Sequence, residues 1–235
     1  MKGRPRRIVI GLFLFGISFG YVEAAVVIYL RALYEPLRQR LTPGRASGDL
    51  FPLVDRDRMV AAAPETGRLL NVEVIREAAT IIMLAAAAML VAGDRSLWLP
   101  AFAIAFGVWD VCFYLFLKLW IDWPASVLTW DLLFLLPVPW AAPVLAPVIV
   151  SFTIVGCGLA ALYRPIVIRR LHWGGLFLGG ALVILSFTWD FPNLLAGKLP
   201  HPFAWWLFLT GELVSLGSFG WAFFRPLPHG ELSRR

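Results

Sequence analysis

The residues of this chain best suited to chemistry are carboxylates inside apolar runs. Glu23, Glu77, Asp110 and Glu212 each stand in a stretch otherwise built of aliphatic and aromatic residues, and Glu73 lies one helical turn before Glu77. A charged side chain at the centre of a membrane helix costs about 2.5–3.5 kcal/mol on insertion scales. Five such groups cost on the order of ten kcal/mol if nothing neutralises them, comparable to the whole stability of a small domain. Carboxyls that converge from separate helices can act as general acid and base, relay protons or bind a hard divalent metal through oxygen. Glu23, Glu77, Asp110 and Glu212 are therefore the candidate catalytic residues. Glu73, Glu77 and Asp110 are candidate ligands of a divalent metal, which would offset the excess negative charge and activate water.

The spacing of these residues says which faces they share. Glu73, Glu77 and Thr80 fall at i, i+4 and i+7, one stripe of a helix. Asp110 and Tyr114 stack at i, i+4, with Lys118 one turn further. Glu212 and Ser215 stack at i, i+3 beside the small residues Gly211 and Ser218, which permit close helix contact. Arg76 can pair with Glu73 at i−3 or with a carboxylate on a neighbouring helix, and it can hold an anionic head group such as a phosphate. Together with Tyr114 and His201 it completes the candidate substrate-binding set. Five acids against Arg76 leave an excess of four negative charges if all ionise, so protons, a metal, a cationic ligand or the rim groups Lys118, Lys198 and His201 must balance them.

The elements that position these groups follow from composition. Of 235 residues, 60% are apolar and 15% charged, and the mean hydropathy is +0.76. Soluble domains run near 45–50% apolar and about 25% charged, so the chain reads as an all-α integral membrane protein. Six stretches have the roughly 20 apolar residues that a spanning helix needs: 8–33, 70–92, 97–120, 141–163, 173–189 and 203–224. The first is too long for a signal-peptide core and reads as a span. Residues 124–140 are too short in their apolar part to cross, and the prolines at 137, 139, 143 and 147 oppose a helix start there. That segment reads as re-entrant or interfacial, on the outer side before the fourth span. The long outer loop 34–69, rich in Arg, Asp, Pro and Gly, reads as a solvated connector with a short interfacial helix, or as a lid. The whole chain is taken as one polytopic domain.

Six spans put both termini on one side. Placing that side in the cytoplasm gathers eleven basic residues against Asp94 and Glu231, a balance of +9, and leaves −3 elsewhere. Short basic flanks at helix ends are what the positive-inside rule reads, so the expected site is the cell (inner) membrane with cytoplasmic termini. The carboxylates then lie in the outer half of the bundle. The net charge of +6 reflects topology rather than nucleic-acid binding. Cys112 and Cys157, each within an apolar run, read as packing residues. Asp131 and Asp190, at helix boundaries, read as caps or turn residues.

Glu73-Val74-Ile75-Arg76-Glu77 has the E-x-x-x-E form found in undecaprenyl-pyrophosphate phosphatases. The P-G-x-S-R-S companion motif is missing, and no family is recognised on this resemblance. Zinc spacings, a P-loop, G-x-S-x-G and Rossmann glycines are absent from the sequence. The leading functional expectation is a metal-dependent hydrolase or transferase embedded in the bilayer and acting on a lipid-like substrate. The alternatives are a proton- or cation-coupled transporter and a non-catalytic subunit binding a cofactor or partner. The expected partners are the lipid bilayer and a lipid-like or cationic small ligand.

Overall fold

The computed structural model describes residues 4–41, 43, 60–93, 95–164, 166–196, 198 and 200–225. The chain forms α1 (Arg4–Leu41), α2 (Glu65–Ala92), α3 (Arg95–Ile121), β1 (Trp130–Phe134), β2 (Trp140–Pro143), α4 (Leu145–Tyr163), α5 (Arg170–Thr188), the short α6 (Phe191–Leu195) and α7 (Trp205–Phe224). Among the described residues six helices are long and apolar enough to cross a membrane. The fold is the expected bundle of six membrane helices, and the apolar side chains on its outside, among them Leu14, Ile82, Leu90, Phe177 and Leu213, are matched to the lipid bilayer.

Several helices outrun the apolar stretches that announced them. α1 continues from residue 33 to Leu41, carried by a polar turn in which Arg38 donates to Glu35 at 2.6–2.8 Å and Gln39 donates to it at 2.9 Å. Helical hydrogen bonding does not stop where hydropathy stops, and i, i+3 and i, i+4 pairs support it in water. At 1.5 Å per residue α1 is about 57 Å long, well beyond a hydrocarbon core of about 30 Å. α2 likewise begins at Glu65 rather than at 70. It ends at Gly93, whose φ of 64° is the left-handed cap that glycine adopts without strain. The expected 34–69 loop is thereby shortened from both sides, and its charged centre, 44–59, lies outside the described residues.

Segment 124–140 is not irregular throughout. β1 and β2 pair antiparallel, with Trp130 opposite Pro143, Asp131 opposite Ala142 and Leu132 opposite Ala141. The ladder satisfies the backbone of a segment too rich in proline to be a helix. Two further bonds tie the strand ends together, Val144 N–H to Thr129 O (2.9 Å) and Leu145 N–H to Val127 O (2.7 Å). β2 occupies 140–143, so the fourth span starts at Leu145 instead of 141.

Packing is most extensive between α1 and α3, α5 and α7, and α3 and α4. Near the end of the bundle where the chain begins, Leu12, Leu84, Ala88, Ala101 and Ile104 form a core with at most 1% exposure. The α5–α7 pair is held by backbone contact: a Cβ on Gly179 would sit 2.5 Å from Gly211 O, and one on Gly211 would sit 2.7 Å from Gly179 O. Only glycine allows this approach. Gly179→Val is therefore expected to lower stability by about 1–3 kcal/mol, the usual cost of overpacking. Gly174→Ala, where an added Cβ meets open space, serves as the control. Thermal unfolding in detergent checks this, and equal midpoints for the two variants would contradict the packing.

Candidate functional site

A cavity of about 390 Å³ opens between the helices on the hairpin side of the bundle, and all six membrane helices and the hairpin contribute to its wall. Its carboxyl groups are Glu23 from α1, Glu73 and Glu77 from α2, Asp110 from α3, Asp131 from β1 and Glu212 from α7; its guanidinium groups are Arg31 and Arg76. The four carboxyls singled out as catalytic candidates thus share one cavity, and each is buried, with 6–9% exposure.

Each carboxyl is held differently. Arg76 pairs with Glu23 across the α1–α2 interface and with Glu73 on its own helix, reaching both Glu73 oxygens from Nε at 2.9–3.0 Å. Thr80 Oγ1 donates to the other Glu23 oxygen at 3.3 Å. This commits the guanidinium to two carboxylates, so Arg76 is a clamp between helices rather than a free anion receptor. Glu77 accepts the Leu135 backbone N–H at 2.8 Å, which fastens the hairpin loop to α2. Asp110 accepts the Ser151 hydroxyl at 2.8 Å, which links α3 to α4. Glu212 is a hydrogen-bonding neighbour of Thr153 on α4, while its Oε2 is buried with no partner among the described residues.

Asp131 is neither a cap nor a turn residue. From β1 it accepts the Tyr114 hydroxyl at 2.8 Å. Loss of hydration raises its pKa from 3.8 to about 6, against the opposing pull of Arg31, the Tyr114 hydrogen bond and the Leu132 backbone bond. Arg31 itself stacks over Trp123, with Cζ 4.0 Å from the ring centroid. Arg31, Asp131 and Ser151 escaped the sequence reading. Arg31 had a signal, since it lies at i+8 from Glu23 on the same helical stripe. Asp131 and Ser151 had none, because only the hairpin and the α3–α4 packing bring them to the site.

His201 does not reach the cavity. Its Nδ1 lies 2.9 Å from Asp190 Oδ1 and its side chain is 74% exposed, and its backbone N–H donates to Asp190 Oδ2 at 2.6 Å. Asn193 completes that cluster through Nδ2 at 2.7 Å from Asp190 Oδ1, so Asp190 organises a turn, as expected. Lys118 also turns away, pairing with Asp122 at 2.6 Å. The metal reading of Glu73, Glu77 and Asp110 finds no support in the ligand geometry. Among the described residues no three His, Cys, Asp or Glu side chains are grouped to hold a metal ion. The reason is visible in their partners, which hold Glu73 on Arg76, Glu77 on the hairpin and Asp110 on α4. Both cysteines are free, as expected of packing residues. No protein-family model, curated protein or solved structure matches this chain.

Replacing Arg76 by Ala leaves the buried Glu23 and the partly buried Glu73 without their counter-charge, a change that costs at most about 3–5 kcal/mol, the loss seen when one partner of a fully buried pair is removed. Adding Glu23→Gln and Glu73→Gln should restore most of that loss in thermal unfolding, and no restoration would contradict the clamp. A second expectation concerns Asp131. Its folded-state pKa lies above its unfolded value, so its contribution to stability is complete below about pH 4 and is lost as the pH rises through about 6. The wild-type protein should lose stability relative to Asp131→Asn over that interval, and the protonated-carboxyl infrared band removed by the substitution should titrate near 6. A band already absent at about pH 4 would contradict the assignment.

Proposed function

We propose that the protein is a membrane-embedded hydrolase or transferase that takes the polar head of a lipid-like substrate into the carboxyl-lined cavity. The observation that carries this reading is convergence on one side only. Groups from every membrane helix meet in one cavity at the hairpin end, while the opposite end of the core is packed with fully buried Leu12, Leu84, Ala88 and Ile104. A conduit for protons or ions needs polar groups along its whole length, and this arrangement is instead a blind site. A cavity of this volume falls within the usual range for small-ligand sites, and its apolar and aromatic wall suits the chain of an amphiphile.

Asp110 is the acid–base group of this reading. It sits on the cavity wall, and its hydrogen bond from Ser151 leaves it without a cationic partner. Ser151 orients it, and Glu77 and Glu212 flank the bound head. The chemistry asked of Asp110 is proton transfer to or from the scissile group, worth about 10²–10⁴ in rate. The basic flanks Arg6, Arg7, Arg95, Arg164, Arg170 and Arg225 all border helix ends opposite the hairpin, which supports cytoplasmic termini in the cell membrane and an outward-facing cavity.

The protein in nanodiscs, incubated with total membrane lipid extract and followed by mass spectrometry, should convert one lipid class, and Asp110→Asn should slow that conversion at least 100-fold. A cysteine at exposed position 126 (Ser126→Cys) should react with an impermeant reagent added to intact cells. Wild-type proteoliposomes that pass protons or cations in an Asp110-dependent way, without lipid conversion, would overturn the enzyme in favour of a transporter. Labelling of position 126 only after lysis would overturn the orientation.

A further inference from the structure

We propose that the head group admitted to the cavity carries an ammonium, with Asp110 and Glu212 as its counter-charges and the rings of Trp109, Trp140 and Phe187 around it. The proposal rests on the reading of the cavity as a substrate site and names the chemical class of that substrate.

The distribution of partners carries the argument. Of the six carboxyls on the wall, Glu23 and Glu73 share Arg76, and Asp131 has Arg31 as its cationic neighbour. Glu77, Asp110 and Glu212 have only neutral donors: the Leu135 N–H, the Ser151 hydroxyl and Thr153. Glu212, at 6% exposure, keeps Oε2 with no partner among the described residues. A buried acceptor left unmatched costs free energy, and more so when charged, so a cation is the occupant that removes the deficit. An anionic head would add to the acid excess; Arg76 is already bound by two carboxylates, and Arg31, stacked over Trp123 with Asp131 as its charged neighbour, keeps only its Nε without an acceptor among the described residues.

The apolar part of the wall agrees. Aromatic faces attract cations within about 6 Å of the ring centroid. Trp140 and Phe187 stand with centroids 6.3 Å apart on the cavity wall, and Trp109 lies on the α3 side next to Asp110. The indole N–H groups of Trp109 and Trp140 are buried without an acceptor among the described residues. An ammonium with a hydroxyl or carbonyl oxygen on the neighbouring carbons would satisfy an acid and an indole together.

Water-soluble probes test this with the whole protein in a maltoside detergent: n-octylammonium, n-octyl phosphate and n-octanol. Octylammonium is expected to bind saturably and at least ten-fold more tightly than the other two. Its binding should release protons, read as a heat of binding that depends on the buffer, because a cation favours the ionised carboxyls. The other titratable groups around Asp110 and Glu212 are Glu77, Arg76 with Glu23 and Glu73, Arg31, Asp131, Tyr114 and the neutral thiol of Cys157. Asp110→Asn combined with Glu212→Gln should weaken octylammonium at least ten-fold and leave octanol unchanged, which shows that the cavity is still formed. If that variant does not fold, proton release by the wild-type protein decides alone. Octyl phosphate or octanol binding as tightly as the amine overturns the ammonium and leaves the lipid-site reading standing. Binding of none of the three overturns both.

Discussion

The ion triad of Glu23, Arg76 and Glu73 is the interaction on which the site end of this bundle depends. α1 and α2 meet over a small area, and across that interface Arg76 and Thr80 of α2 donate to Glu23 of α1. Charges among apolar helices are tolerated only with partners, and one guanidinium between two carboxylates satisfies its own hydrogen-bonding capacity while joining two helices. With the triad in place, the remaining carboxyls are free to be held by weaker, neutral donors. Those donors come from the hairpin loop through Leu135, and from α4 through Ser151 and Thr153.

The hairpin is the second consequence of the same constraint. A proline-rich stretch between two membrane helices must find partners for its backbone, and it does so in an antiparallel ladder with buried Ala141 and Ala142 on β2. That ladder carries Asp131 into contact with Tyr114 and within reach of Arg31. The polar wall of the cavity is thus assembled from three sources: helical stripes, one strand, and a loop amide.

Much of this was legible in the sequence, and the division is physical. Glu23, Glu77, Asp110 and Glu212 announced themselves because a carboxyl in an apolar run is costly wherever it points, and cost alone implies convergence. The helix count was legible for the same reason, since apolar length is a bulk property. Arg31 was readable from its stripe but was obscured by its position near the end of the apolar run. Asp131 and Ser151 depend on long-range placement, which neither period nor composition encodes. His201 misled because its neighbours in sequence, two prolines, said only that the chain turns there, and the turn carries it to Asp190 outside the cavity. For the expected metal ligands the finer question is what each carboxyl already holds, which residue spacing does not encode: Glu73 is on Arg76, Glu77 on the hairpin and Asp110 on α4.

The glycine seam between α5 and α7 has a geometric corollary. Two helices in backbone contact at Gly179 and Gly211 cannot slide or separate by small rotamer changes, so they behave as a single rigid plank. That plank touches the rest of the molecule through β2 and a narrow strip of α4, yet it supplies Val183, Phe187 and Glu212 to the cavity wall. The width of the cavity is therefore set by how the plank is seated rather than by any one side chain, as one jaw of a caliper sets its gap.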